Sequence, residues 1–182
     1  VQKQVYTKSP ADYFIQKLPK EKLESPLKLS KEEIEQLISK ANLASSGGNC
    51  QPWIWIYDRS GVLHLVHDQK RSISLLDYEG TGSLIAFGGA LENLRLATSA
   101  KGIAIRTITQ IKSFGEELIA SVIFESKSDN ALEVPFKELA SGIELRTTNR
   151  RNENRVILPE GQLVQYEAIA TDSGSFVESV DD

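Results

Sequence analysis

Residues 82–101 are the most apolar stretch of the chain, and they limit its possible folds more than any other feature. Leu84, Ile85, Phe87, Gly88, Leu91, Leu94, Arg95 and Ala97 recur at spacings of three and four, the period of a helix. Gly102 follows where a left-handed C-terminal cap is expected. Left in water, such a stripe would far exceed the apolar patches that soluble monomers tolerate. The spacing therefore predicts a long central helix that is covered by a second lobe or by another copy, through its Gly88-Gly89 surface. Each glycine there costs about 1 kcal/mol in helix propensity. A helix tolerates that where another helix packs closely or a flat ligand approaches, and the residues alone leave both open.

A second helix is marked at its start. Ser30 can accept from the backbone of Glu33 while Glu33 reaches back to Ser30, a capping box. Ile34, Leu37, Ile38 and Ala41 follow as one buried face, and the helix is expected to run into Leu43. Residues 53–58 and 62–67 read as two strands around a tight Arg59-Ser60-Gly61 turn, followed by a helical turn at 72–76. Residues 103–111 and 118–125 alternate as strands, and 126–130 read as a polar turn. Helices are expected at 134–142 and 162–170, and a strand start at Ser175-Phe176-Val177. The sum is an α+β fold: a central, mostly antiparallel sheet flanked by helices. Residues 1–29, broken by Pro10, Pro19 and Pro26, read as an arm or linker with a short helix at 12–18. Residues 30–145 read as a first lobe and 146–182 as the start of a second.

Composition removes several function classes. The net charge of −4 argues against a general nucleic-acid binder, whose affinity needs excess Lys and Arg. Cys50 is the one cysteine, which excludes a disulfide framework and a Cys-rich metal site and suits a reducing cytoplasm. It has no cationic neighbour in sequence and reads as a small buried side chain. His64 and His67, three apart in a strand, point to opposite faces and make a poor metal pair; one is expected at the surface and one half-buried. No metal site is expected, no apolar run reaches the length of a membrane span, and the N-terminus lacks a signal-peptide core. The chain starts at Val1 and contains no methionine, so we expect it to be a piece of a longer chain; the apolar helix implies either continuation beyond Asp182 into a second lobe or pairing with another copy.

Two motifs can carry chemistry. The first is Ala44-Ser45-Ser46-Gly47-Gly48-Asn49-Cys50-Gln51-Pro52-Trp53, where glycines admit a close approach of backbone to ligand and Ser and Asn supply short hydrogen-bonding arms. The second is Arg146-Thr147-Thr148-Asn149-Arg150-Arg151, a cluster suited to phosphate or, equally, a solvated basic loop beside Glu144 and Glu153. A helix or turn starting there would add its free N–H groups. Asp77-Tyr78-Glu79-Gly80-Thr81-Gly82 leads into the apolar helix, on which Asn93 either makes an interhelical hydrogen bond or reads a ligand edge.

The first motif resembles the A-P-S-x-x-N-x-Q-P-W signature of the flavin-dependent nitroreductases, with Ser45 in place of the proline. Arg146, Thr148 and Arg150 resemble that family's R-x-[ST]-x-R phosphate motif, here late in the chain as in its two-lobed, single-chain members. The resemblance covers residues 30–151. It implies a nitroreductase-like fold, FMN as cofactor, and NAD(P)H-dependent reduction of small electrophiles such as nitroaromatics or quinones by ping-pong hydride transfer. It places Ser45, Ser46, Gly47 and Asn49 beside the isoalloxazine and Arg146, Thr148 and Arg150 on the phosphate, with the loop of one half meeting the motif of the other. No side chain is singled out as catalytic. A homodimer or an internal pseudo-dimer follows. Two other classes stay open: a flavin-sequestering protein without turnover, and a non-catalytic region like those fused behind E1-like adenylyltransferase domains, which the Ser-Gly-Gly-Asn form of the loop also resembles.

Overall fold

The computed structural model describes residues 23–72, 77–109, 117–127, 134–148, 150–151, 158–159, 161–172 and 174–177. The chain divides into two compact units, one ending at Arg146 and the other beginning at Thr147. The expected helix at 12–18 lies outside the described residues, as do 73–76 and 128–133.

The first unit is built on a four-stranded antiparallel sheet, β1 (Trp53–Tyr57), β2 (Leu63–His67), β3 (Ile103–Thr109) and β4 (Leu118–Lys127), in the order β1-β2-β4-β3. Helices α1 (Lys31–Ala41), α2 (Gln69–Ser72), α3 (Thr81–Ala100) and α4 (Val134–Leu145) accompany it. The β1–β2 hairpin turns where expected. Asp58 accepts from the backbone of Ser60 at 2.9 Å, its hydroxyl at 2.6 Å and the backbone of Val62 at 3.0 Å. Gly61 sits at φ +88°, and a Cβ there would stand 2.9 Å from Lys28 Cγ, so glycine is required.

Trp53, Trp55 and Tyr57 pair with His67, Leu65 and Leu63, so these six side chains share one face of the sheet. Around that face lies the core: Leu37 and Ala41 of α1, Phe87, Ala90, Leu94 and Ala97 of α3, and Val122 and Phe124 of β4. The reverse face, with Ile56, His64, Val66, Ser121 and Ile123, is buried too. All five residues of β2 are therefore buried, which explains the weak alternation of this strand in sequence. The segment before α1 is docked: the Ser25 hydroxyl donates to the Phe124 carbonyl at 2.8 Å, and Leu27 N donates to the same carbonyl at 3.1 Å.

The capping box at Ser30 forms as expected, with Glu33 N to Ser30 Oγ at 3.2 Å and Ser30 N to Glu33 Oε2 at 2.8 Å. Helix α3 departs from the expected face. Ser83, Ala86, Phe87, Ala90, Leu94 and Ala97 are buried, while Ile85 is 71% exposed and Leu84 also faces out. Small residues at 83, 86, 90 and 97 let this side come close to the core, whereas the larger Leu84 and Ile85 would hold it away. Within this unit the glycine pair does not serve close packing. A Cβ on Gly88 would meet nothing within 4 Å, and one on Gly89 only Ala44 Cβ at 3.7 Å.

The second unit holds α5 (Gln162–Asp172), whose described side chains include none that is buried. Ser175-Phe176-Val177 is not a strand. Gly174, at φ +76°, turns the chain back so that Ser175 N donates to the Ala170 carbonyl at 2.8 Å, a helix C-cap.

The face of α3 is testable by urea denaturation. Phe87→Ala should cost roughly 3–5 kcal/mol, while Ile85→Ala should stay within about 0.5 kcal/mol of the parent. Equal losses would mean that the helix is rotated from the orientation described.

Candidate functional site

Helix α1 ends at Ala41, two residues before the expected end, and Asn42 caps it, with its N–H still donating to the Ile38 carbonyl at 2.9 Å. Asn42 Oδ1 accepts from two indoles, Trp53 Nε1 at 2.8 Å and Trp55 Nε1 at 3.1 Å. Its carbonyl accepts from Gln51 Nε2 at 2.8 Å. Between these anchors the loop turns tightly. Gly48, Asn49 and Gln51 all have positive φ, at 58°, 55° and 45°. The Ser46 hydroxyl accepts from Gln51 N at 2.9 Å, and the Ser46 carbonyl from Asn49 N at 2.9 Å. Two non-glycine residues in the left-handed region within three positions amount to stored strain, a feature that clusters at ligand sites.

A small pocket opens beside this loop. Ser46, Gly47, Cys50 and Pro52 form one wall, and Ser72, Asp77, Ser83 and Ala86 are on the other. Cys50 is half-buried and lines this space; it is not the buried small side chain expected. Asp77 accepts from the Ser83 hydroxyl at 2.5 Å and from Ser83 N at 3.1 Å, capping the first turn of α3. Burial pushes the Asp77 carboxyl up, but the bonds from Ser83 and Gly82 and the nearby His67 together hold it below the usual range. Glu79, at φ 48°, adds a further left-handed residue where the chain enters α3.

The expected ring-side residues lie together on the loop. Ser45, Gly47 and Asn49 are exposed and Ser46 is half-buried. A Cβ on Gly47 or Gly48 would meet nothing within 4 Å, so the space immediately beside these two residues is open. Arg146 belongs to the same unit, and its Nη2 donates to the Leu43 carbonyl at 3.4 Å, at the entrance to the loop. Thr148 and Arg150 are exposed residues of the second unit. Among the described residues of the Arg cluster, 146–148 and 150–151, none is helical. Arg146 follows the C-terminus of α4, where its N–H donates to the Gly142 carbonyl at 3.0 Å and its charge suits the negative helix end. Asn93 makes an interhelical bond, Nδ2 donating to the Lys40 carbonyl at 3.3 Å.

Both histidines are buried, against the expectation of one at the surface. His64 Nε2 lies 3.2 Å from Asp58 Oδ2 and its Nδ1 lies 2.9 Å from Ser121 Oγ. With His64 and Ser121 sealed, this Asp-His-Ser array cross-links strands and offers no nucleophile to a substrate. His67 Nε2 lies 2.9 Å from Ser72 Oγ, and its ring meets Phe87 edge-on at 5.1 Å. Burial holds both imidazoles below the ordinary histidine value, with Asp58 opposing at His64 and Asp77, Asp68 and Glu117 opposing at His67. Among the described residues, no group of three His, Cys, Asp or Glu could hold a metal, and no helix is long and apolar enough to cross a membrane.

Sequence reasoning missed Asn42, and it singled out the segment at Asp77 without the cap that this residue makes on Ser83. The signal for Asn42 was an Asn at a helix end followed by two tryptophans two residues apart on a strand, which places both indoles on one face.

No family model and no curated protein matches the chain. Among solved structures, it is similar to nitroreductase CinD of Lactococcus lactis in complex with 4-nitrophenol, at 12% identity and TM-score 0.47, over 61% of this chain and 85% of that one. It is also similar to NfrA2 of B. megaterium, at 13% identity and TM-score 0.46, over 90% of this chain and 82% of that one. A third is a Desulfovibrio desulfuricans protein, assigned as a nitroreductase and in complex with FMN, at 15% and 0.45, over 70% and 91%. At such identities and TM-scores no residue role is carried over from them.

The buried histidines set a pH dependence. A base that is harder to protonate when folded contributes stability that is fully present above its unfolded pKa and is lost as pH falls. The urea midpoint should therefore be level above about pH 7 and fall as the pH drops through 6.5. A further loss should follow below 3.8, where Asp58 and Asp77, both held low, take up protons. A midpoint that rises on acidification from neutral pH would contradict the burial of both rings.

Proposed function

We propose that the chain is an FMN-binding, NAD(P)H-dependent oxidoreductase of nitroreductase type that reduces small electrophiles such as nitroaromatics or quinones. The observation that carries this reading is the left-handed turn of the loop that bears Ser45, Ser46, Gly47 and Asn49, with open space where a Cβ on Gly47 or Gly48 would stand. Arg146 at the entrance to the same loop supports a phosphate end, with Thr148 and Arg150 completing the R-x-[ST]-x-R pattern. When bound, FMN would supply the hydride chemistry. The protein's part is to hold and orient: short neutral donors toward the ring, guanidinium forks toward the phosphate. The same reading makes 146–182 the opening of a second lobe, and a homodimer or pseudo-dimer the working form in the cytoplasm.

Arg146→Ala combined with Arg150→Ala should weaken FMN binding on the order of a hundredfold or more, since each charged hydrogen bond contributes roughly 1.5–3 kcal/mol. Equilibrium dialysis against FMN measures it, with far-ultraviolet circular dichroism checking the fold; unchanged retention would overturn the phosphate assignment.

Turnover is tested separately. Under anaerobic conditions the flavin absorbance of the loaded protein should bleach with NADH or NADPH and return with a quinone. Flavin that is held yet resists both nicotinamides would point to sequestration.

A further inference from the structure

We propose that Asn42 is a positioning residue that holds the 43–51 loop in its strained shape, and with it the surface offered to the flavin ring. The inference rests on the reading above for the identity of the ligand, and on the geometry alone for the clamp. One side-chain oxygen takes both indole N–H groups of β1, and the backbone carbonyl of the same residue takes the Gln51 amide. Residue 42 is thereby tied to residues 51, 53 and 55, across the whole motif. Tryptophan only donates, and the amide oxygen of Asn42 has the two lone pairs needed to accept both donors. Trp53 and Trp55 are i and i+2 on the face turned toward the helices, so both reach the same acceptor.

The loop needs such a clamp. Ser45 leaves φ free where a proline would fix it, and Asn49 and Gln51 stand in a region that side chains avoid. Released from residue 42, both would relax toward ordinary backbone angles, and the Ser46 and Gly47 surface would lose its fixed shape.

Three full-chain variants test this: Asn42→Leu, which keeps the volume and removes the acceptor; Asn42→Asp, which keeps an acceptor oxygen; and Trp55→Phe, which removes one donor. Amide hydrogen exchange should rise tenfold or more in peptides covering 43–51 for Asn42→Leu, while peptides from β2 and β4 stay as in the parent. Asn42→Asp should remain within about threefold of the parent, and Trp55→Phe should fall between the two. FMN affinity, read by dialysis, should follow the same order. Loop exchange unchanged in Asn42→Leu, or raised equally by Asn42→Asp, overturns the clamp. If Asn42→Leu unfolds, Trp55→Phe against Asn42→Asp decides by the same comparison. A parent that does not bind FMN would sink the flavin reading while the exchange data still judge the clamp.

Discussion

Two indole N–H groups converging on the side-chain oxygen of Asn42 fix the relation between α1, the loop and β1, and much of the candidate site depends on it. Each bond is worth about 1 kcal/mol net, and leaving a buried donor unpaired costs more. Gln51 in the left-handed region costs on the order of 1 kcal/mol, and Asn49 less, since asparagine tolerates that region. Three bonds to Asn42, with Ser46 accepting from Gln51, are of the size needed to hold that strain. The anchor is itself anchored, since Lys40 pairs with Glu144 of α4 and the Lys40 carbonyl takes Asn93 of α3.

The helix ends around the loop are electrostatically assigned. A twenty-residue helix presents a partial positive charge at its N-terminus, an obvious place for an anion. In α3 that place is taken by Asp77, which already accepts from Ser83. The pocket beside the loop is thus a poor phosphate site and suits a neutral group. The end of α4 is negative and carries Arg146. One of its five N–H donors goes to the Leu43 carbonyl, which ties the end of α4 to the start of the loop.

Most of the fold was legible in the sequence, because its signals were local. The capping box at Ser30, the turn at Gly61 and the left-handed Gly102 after α3 each follow from the chemistry of one or a few residues. The α+β class and antiparallel strands follow from the order and spacing of the apolar runs. What escaped was non-local. Burial of His64 and His67 depends on cover over both faces of β2, which no spacing within β2 reveals. Asn42 depends on register across the helix, loop and strand. The strand expected at Ser175-Phe176-Val177 failed because Gly174 makes a helix cap there. For the candidate site, the motif located the loop, but the strain and its restraint came only from the backbone.

The face of α3 is the most instructive departure. Periodicity identifies a buried side only when the opposite side is polar, and this helix is apolar nearly all round. The choice then falls to size. Alanine and serine at 83, 86, 90 and 97 let the helix axis approach the sheet, and Phe87 fills the remaining space against His67. Placing Leu84 and Ile85 inward instead would hold the helix away and open gaps beneath it, at the cost of dispersion contacts along its length. Large apolar side chains on the outer side, with Tyr78 exposed just before the helix, are the consequence of that packing choice. The same choice puts Ala86 and Ser83 at the pocket wall, where bulkier residues would fill the space facing Ser46 and Gly47.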